Sequence, residues 1–225
     1  MSNSLSPLKG TLPEVIVNDD ALYLGDLKYY FRAIFRHARN LEHPYHNFRH
    51  LFHVFWLCYQ ACLFYRERLS ARDMRNLLIA AMFHDFDHSG RAGNDDLNIE
   101  LAIRGLKKHV AEMDMPYLDE ICALIRLTEF PPTSATEPQD LLGEIMRDAD
   151  MGQTFSVAWI QQVVFGLARE AGIKPIEMLA RQKPFLSATK FYTEWGRMMF
   201  GPKTIEDKIT EAEALLVILS EEETV

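Results

Sequence analysis

The chain has 225 residues, 48% of them hydrophobic, which is enough to bury a real core and excludes disorder or collagen-like repetition. Lys and Arg total 24 against 32 Asp and Glu, a formal charge of −8, so a broad basic surface for extended nucleic acid or anionic lipid is excluded while a local basic pocket is not. Three cysteines form neither a disulfide framework nor a zinc Cys-x-x-Cys pair, the N-terminus lacks an apolar signal core, and no apolar run approaches the roughly 18 residues of a membrane span, so a cytoplasmic protein is expected.

Val, Ile and Thr are sparse beside Leu, Ala, Met and Glu, no Asn-Gly or Asp-Gly separates alternating runs, and helical periodicity recurs. The expected class is all-α, one compact multi-helix domain over 1–225 with its core at about 21–200. In chain order the spacing predicts helices at Ala21–Asn40, Asn47–Arg68, Ala71–Phe86, Asp95–Val110, Tyr117–Phe130, Asp140–Asp150, Ser156–Ala171, Pro175–Ala180, Ser187–Met199 and Thr204–Glu221. Ser70 and Asn94 are expected caps, Pro131-Pro132 and Gly172 expected stops, and Pro131–Pro138 an interhelical loop. The amphipathic last helix is expected to pack on its own core, although such a helix also suits a homodimer.

Five of the eight histidines fall between His37 and His53. In Tyr45-His46-Asn47-Phe48-Arg49-His50, a helix starting near Asn47 projects His46 and His50 to one side. His84-Asp85-Phe86-Asp87-His88 stands where the apolar run Leu77–Phe83 ends, as if delivered from a rigid element into a buried site. Imidazole plus carboxylate suits divalent ions such as zinc, manganese, iron, magnesium, nickel or cobalt. A further acid comes from Asp148-Ala149-Asp150; residues two apart do not share a helix face, so one is a ligand and the other supports it or sits at the surface. His37, His43 and His109 read as ordinary core or surface residues, and His53 is undecided.

These residues resemble the HD superfamily of metal-dependent phosphohydrolases, in which a His, an adjacent His-Asp and a distant Asp occur in the order of His50, His84-Asp85 and Asp150. Ala149-Asp150-Met151 is similar to that family's last motif, which favours Asp150 over Asp148. The nearest likeness is to the catalytic domain of the class I cyclic nucleotide phosphodiesterases, whose Tyr-His-Asn-x-x-His is reproduced by Tyr45–His50. His84–His88 with Gly90 and Asn94, Glu100-Leu101-Ala102, Leu127-Thr128-Glu129 and Gln182-x-x-Phe185 resemble further motifs of that family. Departures are His53 where the family has Asp, Asn94 one residue late, no Glu-Asn-His-His segment near Lys107–His109, and a shorter chain.

The resemblance implies a metal-dependent phosphohydrolase that cleaves a phosphodiester such as a 3',5'-cyclic nucleotide through a two-metal-activated hydroxide. His50, His84, Asp85 and Asp150 would hold the first of two divalent ions, with Asp85 bridging to the second. His46 would protonate the leaving group, its imidazolium supported by Glu129, Asp95 or Asp96. His88, Asn94, Thr128, Glu129, Tyr45, Gln182 and Phe185 would hold water or contact a small phosphate-ester substrate, a nucleotide. One alternative keeps the metal and changes the substrate to a nucleotide or deoxynucleotide phosphomonoester or triphosphate. Another is a non-catalytic metal-binding sensor.

Overall fold

The computed structural model describes residues 15–17, 21–91, 93 and 95–221, the last of these by its backbone only. Asn94, an expected cap and water-holding residue, lies outside the described residues. Among them there is helix and no strand, as the all-α reading expects.

The fold is built around a helix that water does not reach. Ser70 and Asp73 close a reciprocal capping box at the start of α3 (Ala71–Phe83), with Asp73 N–H donating to Ser70 Oγ at 3.1 Å and Ser70 N–H to Asp73 Oδ2 at 2.9 Å. From Met74 to Phe83 every residue of α3 is buried, and from Leu77 to Phe83 the helix is apolar on all sides. Around it pack α1 (Lys28–His37), α2 (Phe48–Phe64), α4 (Asp95–His109), α5 (Leu118–Arg126) and α6 (Leu141–Met151). A smaller apolar cluster, Trp159, Val164, Leu179 and Ala212, joins the C-terminal segments. These are a π-helical stretch Ile160–Leu167 running into α7 (Ala168–Ala171), then α8 (Pro175–Ala180), α9 (Gln182–Ala188), α10 (Glu194–Phe200) and α11 (Pro202–Glu221).

Several of the expected helices are shorter or broken: Asn47–Arg68 ends at Phe64, Ala71–Phe86 ends at Phe83, Ser156–Ala171 is a π-helical stretch from Ile160 followed by one short α-helix, and three more change for a local reason. Ala21–Asn40 is interrupted where Leu24 and Gly25 take positive φ of 59° and 92°, so only Lys28–His37 is α-helical. Tyr117–Phe130 stops at Arg126, ahead of the Pro131-Pro132 pair. Ser187–Met199 is two helices, because Asp148 on α6 captures the backbone N–H groups of Tyr192 (2.8 Å) and Thr193 (2.9 Å) and holds the chain extended between α9 and α10. Gly172 does end its helix, in the left-handed conformation. Cys58, Cys62 and Cys122 are buried and unpaired, and no described helix is long and apolar enough to cross a membrane.

The guanidinium buried on α3 is matched. Arg75 reaches Asp114, which is 0% exposed, through Nε (2.8 Å) and Nη2 (2.9 Å), and Asp114 also accepts from Arg72 Nη1 (2.6 Å) and the Tyr30 hydroxyl (2.7 Å). One carboxylate thereby ties α1 and α3 to the turn after α4. Burial raises the Asp114 pKa, but the bonds from Arg75, Tyr30 and Arg72 outweigh it and hold the group below its ordinary value. Its contribution is therefore full above the unfolded-state value of about 3.9 and lost as pH falls through the lower folded value. Asp114→Ala should cost roughly 3–5 kcal/mol by stranding the buried Arg75 guanidinium, read as a lower urea midpoint at pH 7.

Candidate metal centre and active site

Asn47 explains why the Tyr45–His50 segment is built as it is. It is the N-cap of α2: its Oδ1 accepts from Arg49 N (2.8 Å) and His50 N (3.2 Å), while its Nδ2 donates to the His43 carbonyl (2.8 Å). This fixes His50 on the first helical turn, facing the core, with 2% of its surface exposed. The second pair arrives from the end of α3, where His84 is the C-terminal cap and Asp85 follows. His84 Nδ1–H donates to the Ala81 carbonyl at 2.9 Å, which leaves Nε2 as a free lone pair.

Four side chains from three elements converge. His50 Nε2 lies 3.3 Å from Asp85 Oδ2 and 3.3 Å from Asp150 Oδ1, and His84 Nε2 lies 3.2 Å and 3.6 Å from the same two oxygens. The two imidazole nitrogens are 3.4 Å apart. Bonds of about 2.0–2.2 Å from such donors to one ion would separate the donor atoms by about 3.0–3.6 Å, so the spacing of His50, His84 and Asp85 fits a divalent ion, with Asp150 within reach of both imidazole nitrogens. Asp85 Oδ2 is buried without a hydrogen-bond partner, as an oxygen reserved for a cation would be. Burial opposes charge on His50, but Asp150 and Asp85 outweigh it and push its pKa up to about 10. Burial likewise opposes ionisation of Asp85, and the His84, His46 and His50 imidazoles hold its carboxyl well below the usual range.

The two acids of α6 have separate tasks. Asp150 turns its Oδ1 to the histidines. Asp148 is fully buried and takes the Tyr192 and Thr193 N–H groups and the Thr193 hydroxyl (2.7 Å), so it neither touches the cluster nor reaches the surface.

Beside the cluster, His46 Nδ1–H donates to Glu170 Oε2 at 2.5 Å. The other oxygen of Glu170 accepts the N–H groups of Tyr45 (2.7 Å) and His46 (3.0 Å). The carboxylate behind His46 is thus Glu170, not Glu129, Asp95 or Asp96. Glu129 takes a long bond from the Thr133 hydroxyl (3.4 Å) and Asp95 takes Phe130 N–H (2.6 Å). Burial raises the Glu170 pKa, but His46 and the two N–H groups bring it below its ordinary value. His88 stacks on His46 at 3.5 Å, its Nδ1 accepting from Gly90 N (3.0 Å); burial above all drops its pKa to about 4 and keeps it neutral. His46, His88 and Glu170 themselves form a second group whose donor atoms lie close enough to hold an ion.

Glu170 carried no signal in the sequence, since it lies 124 residues from His46. Asn40 was equally silent. Fully buried, it donates to the carbonyls of His46 (2.8 Å) and Asp85 (2.8 Å) and accepts from Asp87 N (3.0 Å), stapling the two histidine motifs together. Tyr45 packs its ring 4.8 Å from that of His50. The Thr128 hydroxyl donates to the Ile125 carbonyl at its own helix end (2.8 Å). Gln182 is turned inward, donating to the Met178 carbonyl (3.1 Å), whereas Phe185 lines a cavity with Phe130 and Met151, so the two do not share a wall. His53 faces an apolar groove with Phe52 and Trp56; burial and the neighbouring His50 lower its pKa to about 4. His37 and His109 stack on each other at 4.6 Å, away from the cluster.

Two features bring Glu170 to His46. The π-helical turn Ile160–Leu167 shifts the register of the segment that carries it, and Gly166 lets that segment touch the chain at Pro44, where a β-carbon would strike the Pro44 carbonyl oxygen.

Residues 45–115 match the family model described as 3'5'-cyclic nucleotide phosphodiesterase, a span containing both histidine motifs. No curated protein matches the chain. The helical fold fits a domain of that type, and the match, which spans 71 of the 225 residues, supports a phosphodiesterase-type hydrolase acting on phosphoric ester bonds. Gly166→Ala should lower stability by about 1–3 kcal/mol through backbone overpacking, seen as a drop of several degrees in Tm.

Proposed function

We propose that the protein hydrolyses a small phosphodiester, a 3',5'-cyclic nucleotide, at a divalent metal centre held by His50, His84, Asp85 and Asp150. The observation that carries this reading is the pairing of two arrangements in one place: two imidazole nitrogens each 3.2–3.6 Å from two carboxylate oxygens and, beside them, an imidazole backed by a buried carboxylate. A binding module needs the first and has no use for the second. The match of residues 45–115 to the cyclic nucleotide phosphodiesterases supports the substrate class.

Divalent metal held by His50, His84, Asp85 and Asp150 would lower the pKa of water and offset the charge on the phosphoryl oxygens. The chain's own residues do the rest. His84 presents Nε2 because Ala81 holds its Nδ1–H, and Asn47 keeps His50 in register. Glu170 accepts the Nδ1–H of His46, which leaves Nε2 as the nitrogen that delivers a proton to the departing alkoxide. His88, stacked flat on His46, holds that ring against rotation and, being neutral, adds no charge to it. Asn40 keeps the proton donor and the metal-binding pair at a set distance.

His46→Ala should lower kcat by about 10²–10⁴-fold with the metal content of the purified protein unchanged, whereas Asp85→Ala should lose both metal and turnover. Equal turnover in His46→Ala would remove the proton-donor role, and a metal-bound protein inert toward every phosphate ester would favour the sensor.

Metal uptake should also release protons at neutral pH. His50 is protonated below its raised value of about 10, and a ligand imidazole must be neutral, so binding at pH 7 expels its proton and tightens as pH rises. Calorimetric titration of the metal-free protein in buffers of different ionisation enthalpy reads the number released.

A further inference from the structure

At the end of α6 that carries Asp150 lies a cavity of about 280 Å³ walled by Phe130, Pro132, Arg147, Met151, Phe185 and Tyr192, among others. Its place follows from α6, which sends Asp150 to the cluster and the adjoining Met151 into the cavity wall. On the opposite side Phe130 N–H is bound by Asp95, whose pKa is raised by burial and by the Asp150 and Asp85 carboxylates. The Phe130 and Phe185 rings, 6.3 Å apart, give this space aromatic faces suited to a planar ring.

Arg147 is unusual in this wall. It is 4% exposed, and among the described residues its charge is met by no carboxylate: Nη1 donates to the Glu129 carbonyl (2.7 Å), Nη2 to the Thr136 carbonyl (3.1 Å), and Nε has no partner. A guanidinium has five N–H donors and no acceptor, and a buried cation balanced by two neutral carbonyls is under-compensated. Nε is closed even to water, but Nη1 and Nη2 each keep a second N–H, and a ligand that brings acceptor lone pairs satisfies it, whereas one that brings only an N–H donor does not. Lys190, also in the lining, is another donor. Gln182, whose amide can present either polarity, is turned away to Met178.

We infer that Arg147 is the specificity-determining residue of this cavity and selects a base with an acceptor edge, guanine with its O6 and N7, over adenine with its 6-amino donor. The inference rests on the reading of the substrate as a cyclic nucleotide and adds to it which base is preferred.

The test is kcat/KM of the metal-loaded full chain for 3',5'-cyclic GMP and 3',5'-cyclic AMP. The guanine substrate should be preferred on the order of tenfold or more, and Arg147→Gln should bring the ratio close to one. Because Arg147 also holds the loop from Glu129 to Thr136, the unaltered protein is compared in parallel on cyclic IMP, which keeps O6 and N7 and should be handled like cyclic GMP. Equal or adenine-favouring values in the unaltered protein, or a guanine preference that survives Arg147→Gln, overturn the role of Arg147 and leave the phosphodiesterase reading standing. Cleavage of bis(p-nitrophenyl) phosphate with no turnover of any cyclic nucleotide overturns the substrate reading and this inference with it.

Discussion

Two imidazole nitrogens, each 3.2–3.6 Å from the same two carboxylate oxygens in a place almost closed to water, form an arrangement that needs a proton or a cation among them. Neutral lone pairs repel, and carboxylates out of water are costly unless a proton or a cation sits among them. The fold therefore imposes the convergence from outside. His84 and Asp85 are carried on the end of a helix whose every side is packed, His50 on the first turn of a capped helix beside it, and Asp150 on a third helix packed against both. The cost of crowding these groups is met by the apolar packing of Met74–Phe83 and its neighbours, so stability elsewhere in the molecule is what keeps the site in shape.

A second layer of polar contacts sets the spacing between the cluster and its neighbouring imidazole. Asn40 holds the carbonyls of His46 and Asp85 with one amide, and Glu170 gathers His46 Nδ1 and two backbone N–H groups with one carboxylate. Each is a buried polar group with several partners, the condition under which such groups add rigidity and not only cost. The irregular backbone belongs to the same layer: the π-helical turn and Gly166 are where the C-terminal segment is bent and thinned to reach the N-terminal motif. The net charge of −8 also becomes intelligible, since part of the acid excess is gathered around histidines and would be neutralised by cations.

The fold class and the grouping of the candidate site's histidines were legible in the amino-acid order because they depend on short-range physics. Helical periodicity, the Ser70 cap and the Gly172 stop act within one or two turns, and so does the grouping of Tyr45–His50 and His84–His88. The choice between Asp148 and Asp150 was open on helical geometry, which says only that the two point apart; resemblance favoured Asp150, and the tertiary structure assigns Asp148 to the backbone of Tyr192 and Thr193. The long helix expected at Ser187–Met199 fails for the same reason, because a carboxylate some 40 residues earlier competes for its N–H groups.

What the sequence by itself determined, then, is the all-helical character and the chemistry available, imidazoles and carboxylates grouped at helix ends. What only the tertiary structure decided is which of those groups meet: Glu170 behind His46, Asn40 between the two motifs, Arg147 in the cavity wall and Gln182 turned away from it. The physical reason is distance along the chain. A hydrogen bond across 124 residues has no periodicity to announce it, and its partners are chosen by how helices pack and where the backbone bends, quantities that depend on every core side chain at once.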